Sequence, residues 1–391
     1  MSLKLEMLVP QLEEMGREFA SRQKHHTAAL DQARDWLHRY ADKWKTLAPL
    51  AGNYRVASPT RNLDAIHPAP ARPERLTVIG SDGSVVPPNR HGPALYYLIN
   101  VGGLVFRTGS GETPQAFHSS RLGYSRSDLY DGARLVEGNL LDVRRDQAEL
   151  LALADYVEGE HQANPDIPMV ALADGTLLLW VMEESPPEKR QARFTAYLDE
   201  LDRFAALQTP IVGFISRPRY RGVLRLLWLA DLQERGALGA ELPADDPLQG
   251  LTDRDLFAGL PAGARTSLYI STARVNAIYQ ARRHQVHFCY LNVGRTNDPE
   301  IARLELPEWV AARDDLLDLA HAAVVDQCRV PGGYPYVLAR AHEQAVVTTE
   351  ERRHLEGLVV GALIRQGMIP RPSRKARMKE LTGSAWRRHH L

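Results

Sequence analysis

Two short segments place an aspartate where hard-metal chemistry could use it: Val78-Ile79-Gly80-Ser81-Asp82-Gly83 and Val170-Ala171-Leu172-Ala173-Asp174-Gly175. Each reads as an apolar strand that delivers a carboxylate directly before glycine. Hard divalent cations take oxygen ligands, and carboxylates at the ends of neighbouring strands supply them. An ion held there can polarise a phosphate and acidify an attacking water, the two needs of phosphodiester hydrolysis. Glycine beside the ligand lets a bulky phosphate or backbone come close. Asp-Gly is also a common turn signature, so either segment alone reads as a turn. The two together, both closing buried-type strands, shift the reading toward a site.

A second constellation is basic. The strand Pro210 to Ile215 empties into Ser216-Arg217-Pro218-Arg219-Tyr220-Arg221, with Arg225 one turn further on. Arg217, Arg219 and Arg221 could hold phosphates while Tyr220 stacks a base; the plain alternative is a solvated basic loop. After Pro370 the chain turns basic again. Arg371, Arg374, Lys375, Arg377, Lys379, Arg387 and Arg388 face the single acid Glu380, seven minus one or net +6. Such a tail could grip DNA, dock an acidic partner or serve as a solubilising end.

The elements that must position these residues follow from periodicity. Residues 1 to about 48 read as a two-helix arm, with Leu8, Leu12, Met15, Phe19, Leu30, Ala33, Trp36 and Leu37 at helical spacing. It would pack on the body or on another subunit, and residues 49 to about 75 read as a connecting segment. Strands are expected at Leu76 to Ile79, Ala94 to Val101 and Leu104 to Thr108, with Gly102-Gly103 as a turn between the last two. A helix from Leu140 to Glu158, a strand from Pro168 to Ala173, the strand from Pro210 and a helix from Val223 to Glu234 follow. Strands at Ser267 to Ser271, Val286 to Val293 and Ile301 to Leu306 precede a helical stretch from Pro307 to about Gln366. Strands that give way to alternating strands and helices predict a mixed α/β sheet covered by helices. The expected division is residues 1–70 arm and linker, 71–370 main α/β domain and 371–391 tail.

Totals narrow the class further. The 48 basic and 48 acidic side chains cancel, so any nucleic-acid surface must be a local patch. The longest strictly apolar run, Leu177 to Met182, is far short of a membrane span, and Glu6, Glu13 and Glu14 interrupt any signal-like segment. Cys289 and Cys328 stand in no zinc or redox spacing and read as reduced thiols of a cytoplasmic protein.

From about residue 76 to 370 the chain resembles the NurA nuclease family. The resemblance rests on an ordered set: Asp82-Gly83-Ser84, Asp174-Gly175-Thr176-Leu177, Ala302-Arg303-Leu304-Glu305-Leu306-Pro307, Gly333-Tyr334-Pro335 and Ala341-His342. It implies a ribonuclease H-like core, manganese-dependent cleavage of DNA ends (with magnesium as the alternative ion), a homodimer, and partnership with a HerA-type hexameric ATPase. Asp82 and Asp174 match the family's metal-binding aspartates. The family also uses a glutamate within an Arg-x-x-x-Glu pattern on the intervening helix, which Arg145 and Glu149 fit. On a helical wheel the stripe Val143, Leu150, Ala154 and Val157 leaves Glu149 at its edge and Asp146 nearer the stripe, so Asp146 is a rival third acid. Either could instead be a solvated residue, with Glu149 pairing Arg145. His342 matches a histidine at the metal site of relatives, where it could ligate metal or orient the phosphate and donate a proton. Relatives carry a lysine near Arg217, so this chain offers a forked contact in place of a point charge.

The resemblance therefore implies an end-processing deoxyribonuclease with Asp82, Glu149, Asp174 and His342 at its centre, acting on single strands and duplex ends. Two other readings use the same residues: a non-catalytic DNA-binding adaptor of the ATPase, and a ribonuclease H-like enzyme acting on RNA or hybrids.

Overall fold

The computed structural model describes residues 5–181, 185–239, 242–243, 245–295, 297–330 and 332–369. The basic segment 371–391 lies outside the described residues. In chain order the elements used below are helices α1 (Val9–Arg39) and α2 (Trp44–Tyr54), then strands β1 (Leu76–Val86), β2 (Tyr97–Thr108) and β3 (Gln115–Gly123). Helix α3 (Asn139–Ala163), strand β4 (Met169–Asp174), helix α4 (Pro187–Ala206), strand β5 (Ile211–Ile215) and helix α5 (Gly222–Glu234) alternate. Strands β6 (Val286–Asn292) and β7 (Ile301–Pro307) precede helices α6 (Asp314–Cys328), α7 (Tyr336–Ala345) and α8 (Thr349–Arg365). This is the expected mixed α/β arrangement of mixed sheet and flanking helices, consistent with a ribonuclease H-like fold. Contacts divide the chain into two compact units, Met1–Arg72 with Gly175–Leu177 and Val212–Tyr334, and Pro73–Asp174 with Leu178–Ile211 and Pro335–Leu391.

In the unit that begins at Pro73, four strands run in the order β4-β1-β2-β3. β4 is parallel to β1, from Thr77↔Met169 to Ser81↔Ala173, whereas β2 is antiparallel to β1 and β3 to β2. The two faces of β1 carry different helices. A Cβ on Gly80 would press on Val337 and Leu338 of α7, at 2.9 and 3.2 Å. The next residue, Ser81, points the other way and bonds the Glu149 carbonyl of α3 at 3.3 Å.

Two sequence expectations are corrected here. The strand does not stop at Ile79 but continues to Val86, because β2 pairs with it along its whole length. Nor is Gly102-Gly103 a turn, since one strand, β2, runs straight through it. A Cβ on Gly102 would strike the backbone of Gln344 and Ala345, and one on Gly103 would strike the Phe117 ring. The glycines are there for close approach, not for reversal. Strand β3, mostly exposed and polar, was not expected at all.

In the other unit β7 lies between β5 and β6, antiparallel to both, and every residue of β6 and β7 is buried. The expected strand at Ser267 to Ser271 is two short pieces, Arg265–Thr266 and Tyr269–Ile270. The second half of α1 is core: Ala33, Trp36 and Leu37, with Tyr40 just past its end, join Val223, Leu226, Leu227 and Ala230 of α5 in one cluster. In its first half Leu12, Met15 and Phe19 stay exposed. α2 runs six residues into the expected linker and ends at Arg55, whose φ of 53° terminates the helix.

Candidate active site

β1 and β4 set the geometry. Their parallel register pairs Ser81 with Ala173, so the next step places Asp82 beside Asp174. Residues in register on parallel strands point to the same face, and neighbouring strands lie roughly 4.8 Å apart. The two carboxylates are thus neighbours on one face at the end of the strand pair. Asp82 is half-buried and Asp174 exposed.

His342 and Glu149 are also drawn toward this end. Nδ1 of His342, on α7, donates to Oδ2 of Asp82 at 2.7 Å, and the other carboxylate oxygen of Asp82 accepts its neighbour Gly83 N–H at 2.8 Å. With Nδ1 as donor, the neutral ring presents Nε2 as an acceptor, and the imidazole is largely exposed. Glu149 arrives from the opposite face, on α3. Its Oε1 occupies the space that a side chain at Gly83 would fill. Burial pushes its pKa well above the usual carboxylate range; Arg145 opposes the rise, while Asp146, Asp82 and Asp174 add to it.

Asp146 and Glu149 sit in different surroundings. Glu149 is 12% exposed and feels both strand aspartates, whereas Asp146 is 37% exposed and is hydrogen-bonded to Arg145 at 2.9 Å. Gly83 leaves the sheet surface open under Glu149, which the apolar stripe alone does not reveal. Arg145 Nε lies 3.0 Å from Glu149 Oε1, an ion-pair distance without the alignment of a hydrogen bond. Among the described residues, no three His, Cys, Asp or Glu side chains converge as a ready metal cage. Asp82 is engaged by His342, and Glu149 by Arg145.

Other residues hold the site in place. Ser84, of Asp82-Gly83-Ser84, donates to the Ala345 carbonyl at 2.5 Å, and Asn100 of β2 donates to the same oxygen at 2.8 Å. They anchor the C-terminal end of α7, one turn beyond His342. Sequence reasoning found the motif but not this use of its serine.

The Arg303–Glu305 motif is likewise structural. Glu305 is buried, accepts Arg303 Nη2 at 2.6 Å, and bonds Thr176 Oγ1 and Leu177 N at 2.7 and 3.0 Å. The segment just after Asp174 is thereby fixed. The guanidinium of Arg303 lies 3.7 Å from the centre of the Phe288 ring and 4.8 Å from that of Tyr220.

The arginine loop divides in two. Arg217 and Arg219 are exposed. Tyr220 is instead half-buried edge-on to Phe288, and Arg221 donates to the carbonyls of Leu251 and Leu248 and to Asp246, at 2.7, 2.6 and 2.9 Å. Those two side chains close the loop that they were expected to offer to a nucleic acid.

A mixed α/β protein with aspartates on two paired parallel strands, a helical glutamate and a histidine against one of them has the makings of a carboxylate-centred hydrolase. The NurA domain family matches residues 76–347. The chain belongs to that family, a family of nucleases associated with DNA repair. Comparison with curated proteins found no match. No helix among the described residues is long and apolar enough to cross a membrane.

Proposed function

We propose that this protein is a manganese-dependent deoxyribonuclease that processes DNA ends in double-strand break repair. The observation that carries this reading is the parallel register of β1 and β4, whose last pair, Ser81↔Ala173, directly precedes Asp82 and Asp174. The donor set suits a hard cation: oxygen ligands on adjacent strands, with a third carboxylate whose pKa burial pushes up and both of them raise further. A bound divalent ion, manganese or else magnesium, would neutralise these acids, polarise the scissile phosphate and acidify the attacking water. Asp82, Asp174 and Glu149 are the residues that would hold it. Arg145 steadies Glu149 until then, and Gly83 leaves the glutamate room to approach. His342, oriented by Asp82, is placed to steer the phosphate and pass a proton through Nε2. Family membership supports a homodimer working with a HerA-type hexameric ATPase, on single strands alone and on duplex ends with the ATPase.

The test compares wild type, Asp82→Asn and Asp174→Asn on end-labelled DNA with Mn2+, together with DNA binding. Cleavage should fall by about three orders of magnitude in both variants while binding persists. Equal cleavage in wild type and variants removes the assignment. An RNA of the same sequence, cut as fast as the DNA, would move the reading to a ribonuclease.

A further inference from the structure

In the unit containing β6 and β7, a depression of about 570 Å3 opens between the turn after β6 and the end of α6. Three arginines line it: Arg217, Arg295 and Arg329. Its acids are Asp298 and Glu300, so guanidinium groups outnumber carboxylates by three to two. The pairing is loose. Arg217 is 75% exposed with Nε 3.4 Å from Glu300 Oε1. Arg329 lies 3.7 Å from Asp326, which is shared with Arg72 at 3.2 Å. Arg295 has no ion-pair partner among the described residues.

The backbone is built to present these groups. Asn292 Oδ1 accepts the N–H of Gly294 and of Glu300, at 3.0 and 3.2 Å, which pins the turn that carries Arg295. Gly294 is packed so closely under Asp298 and Glu300 that no side chain would fit. Arg217 has a φ of 47°, a left-handed conformation that costs a non-glycine residue roughly 1 kcal/mol or more. That strain persists while its guanidinium makes only the long contact to Glu300. Three lightly held forks around one concavity are the chemistry of phosphate recognition.

We infer that Arg217, Arg295 and Arg329 form a cradle for the phosphodiester backbone of a single DNA strand. The inference rests on the reading of the substrate as DNA. Its size suits a single nucleotide unit, and its contacts go to phosphate, so binding is independent of base sequence.

The experiment measures single-strand binding by fluorescence anisotropy in chelator, where no hydrolysis intervenes, across a salt series. Arg295→Ala/Arg329→Ala should weaken binding about ten-fold and flatten the slope of log K against log salt by about 1.4. Arg217→Ala should move both in the same direction, and Arg→Lys replacements should keep most of the slope. A double variant with wild-type affinity, or with lower affinity and an unchanged slope, overturns the cradle. A wild type that binds no DNA sinks the substrate reading itself. Inorganic phosphate is the comparison ligand. If it raises the melting temperature of wild type but not of the double variant, while both bind DNA alike, the occupant is a free ion and the strand proposal falls.

Discussion

At residue scale the narrowest margin in the site is at Gly83. Its missing side chain is the space that Glu149 Oε1 and the Arg145 stem fill, the latter 2.9 Å from where a Cβ would stand. Gly83→Ala must therefore displace Glu149 or lift α3 from β1. Cleavage should drop at least about ten-fold, with roughly 1–3 kcal/mol lost in urea unfolding. Wild-type rates in that variant would show that Glu149 need not sit there. The Asp82-Gly83 and Asp174-Gly175 pairs stood out in the sequence because an apolar run meeting Asp-Gly leaves a local trace, although β1 runs on past Asp82 to Val86. The role of the serine after the first pair did not, because its partner Ala345 lies 261 residues away. The contacts of Tyr220 and Arg221 leave no local trace either. A basic, aromatic loop looks the same in sequence whether its side chains face water or, as here, Phe288 and the Leu248 carbonyl.

Elements tell the same story through long-range contact. Long periodic segments were legible: α3, β4, β5 and α5 begin and end within a few residues of expectation. β2 was not, because a glycine pair in mid-strand reads as a reversal until α7 is known to lie across it. Among strands, β7 has the most to lose from one change. Glu305 neutralises buried Arg303 and holds both Thr176 and Leu177. Glu305→Gln leaves the guanidinium buried without its counter-charge, a loss of about 3–5 kcal/mol in denaturant unfolding. Because that carboxylate also fixes the chain after Asp174, cleavage should fall at temperatures where the variant is still folded. A loss under about 1 kcal/mol would mean that the pair contributes little.

For the whole chain the balance of 48 basic and 48 acidic groups leaves no net field, so pH acts through a few buried groups. His321 is one. Its Nε2 bonds the Gly263 carbonyl at 2.8 Å, its Nδ1 has no partner, and burial lowers its pKa to about 4. The stability it contributes is present above the unfolded value near 6.5 and is lost as pH falls toward about 4. Asp253 has the opposite sign. Buried beneath the first turn of α5, it is pushed up to about 6, so its contribution is full below the unfolded value of 3.8 and is lost as pH rises through about 6. Comparing wild type with His321→Gln cancels the Asp253 effect. Between pH 7 and 5 the wild type should lose on the order of 2 kcal/mol more than the variant in chemical unfolding. Parallel pH profiles would contradict the assignment. The two thiols have a practical consequence. Cys289 and Cys328 are enclosed, and burial drives both pKa values up, so neither offers a thiolate to a reagent in the folded state. A cysteine introduced at an exposed position such as Arg219 would then be the one reactive handle, and a dye attached there could report on a passing strand without first stripping out the native sulfurs.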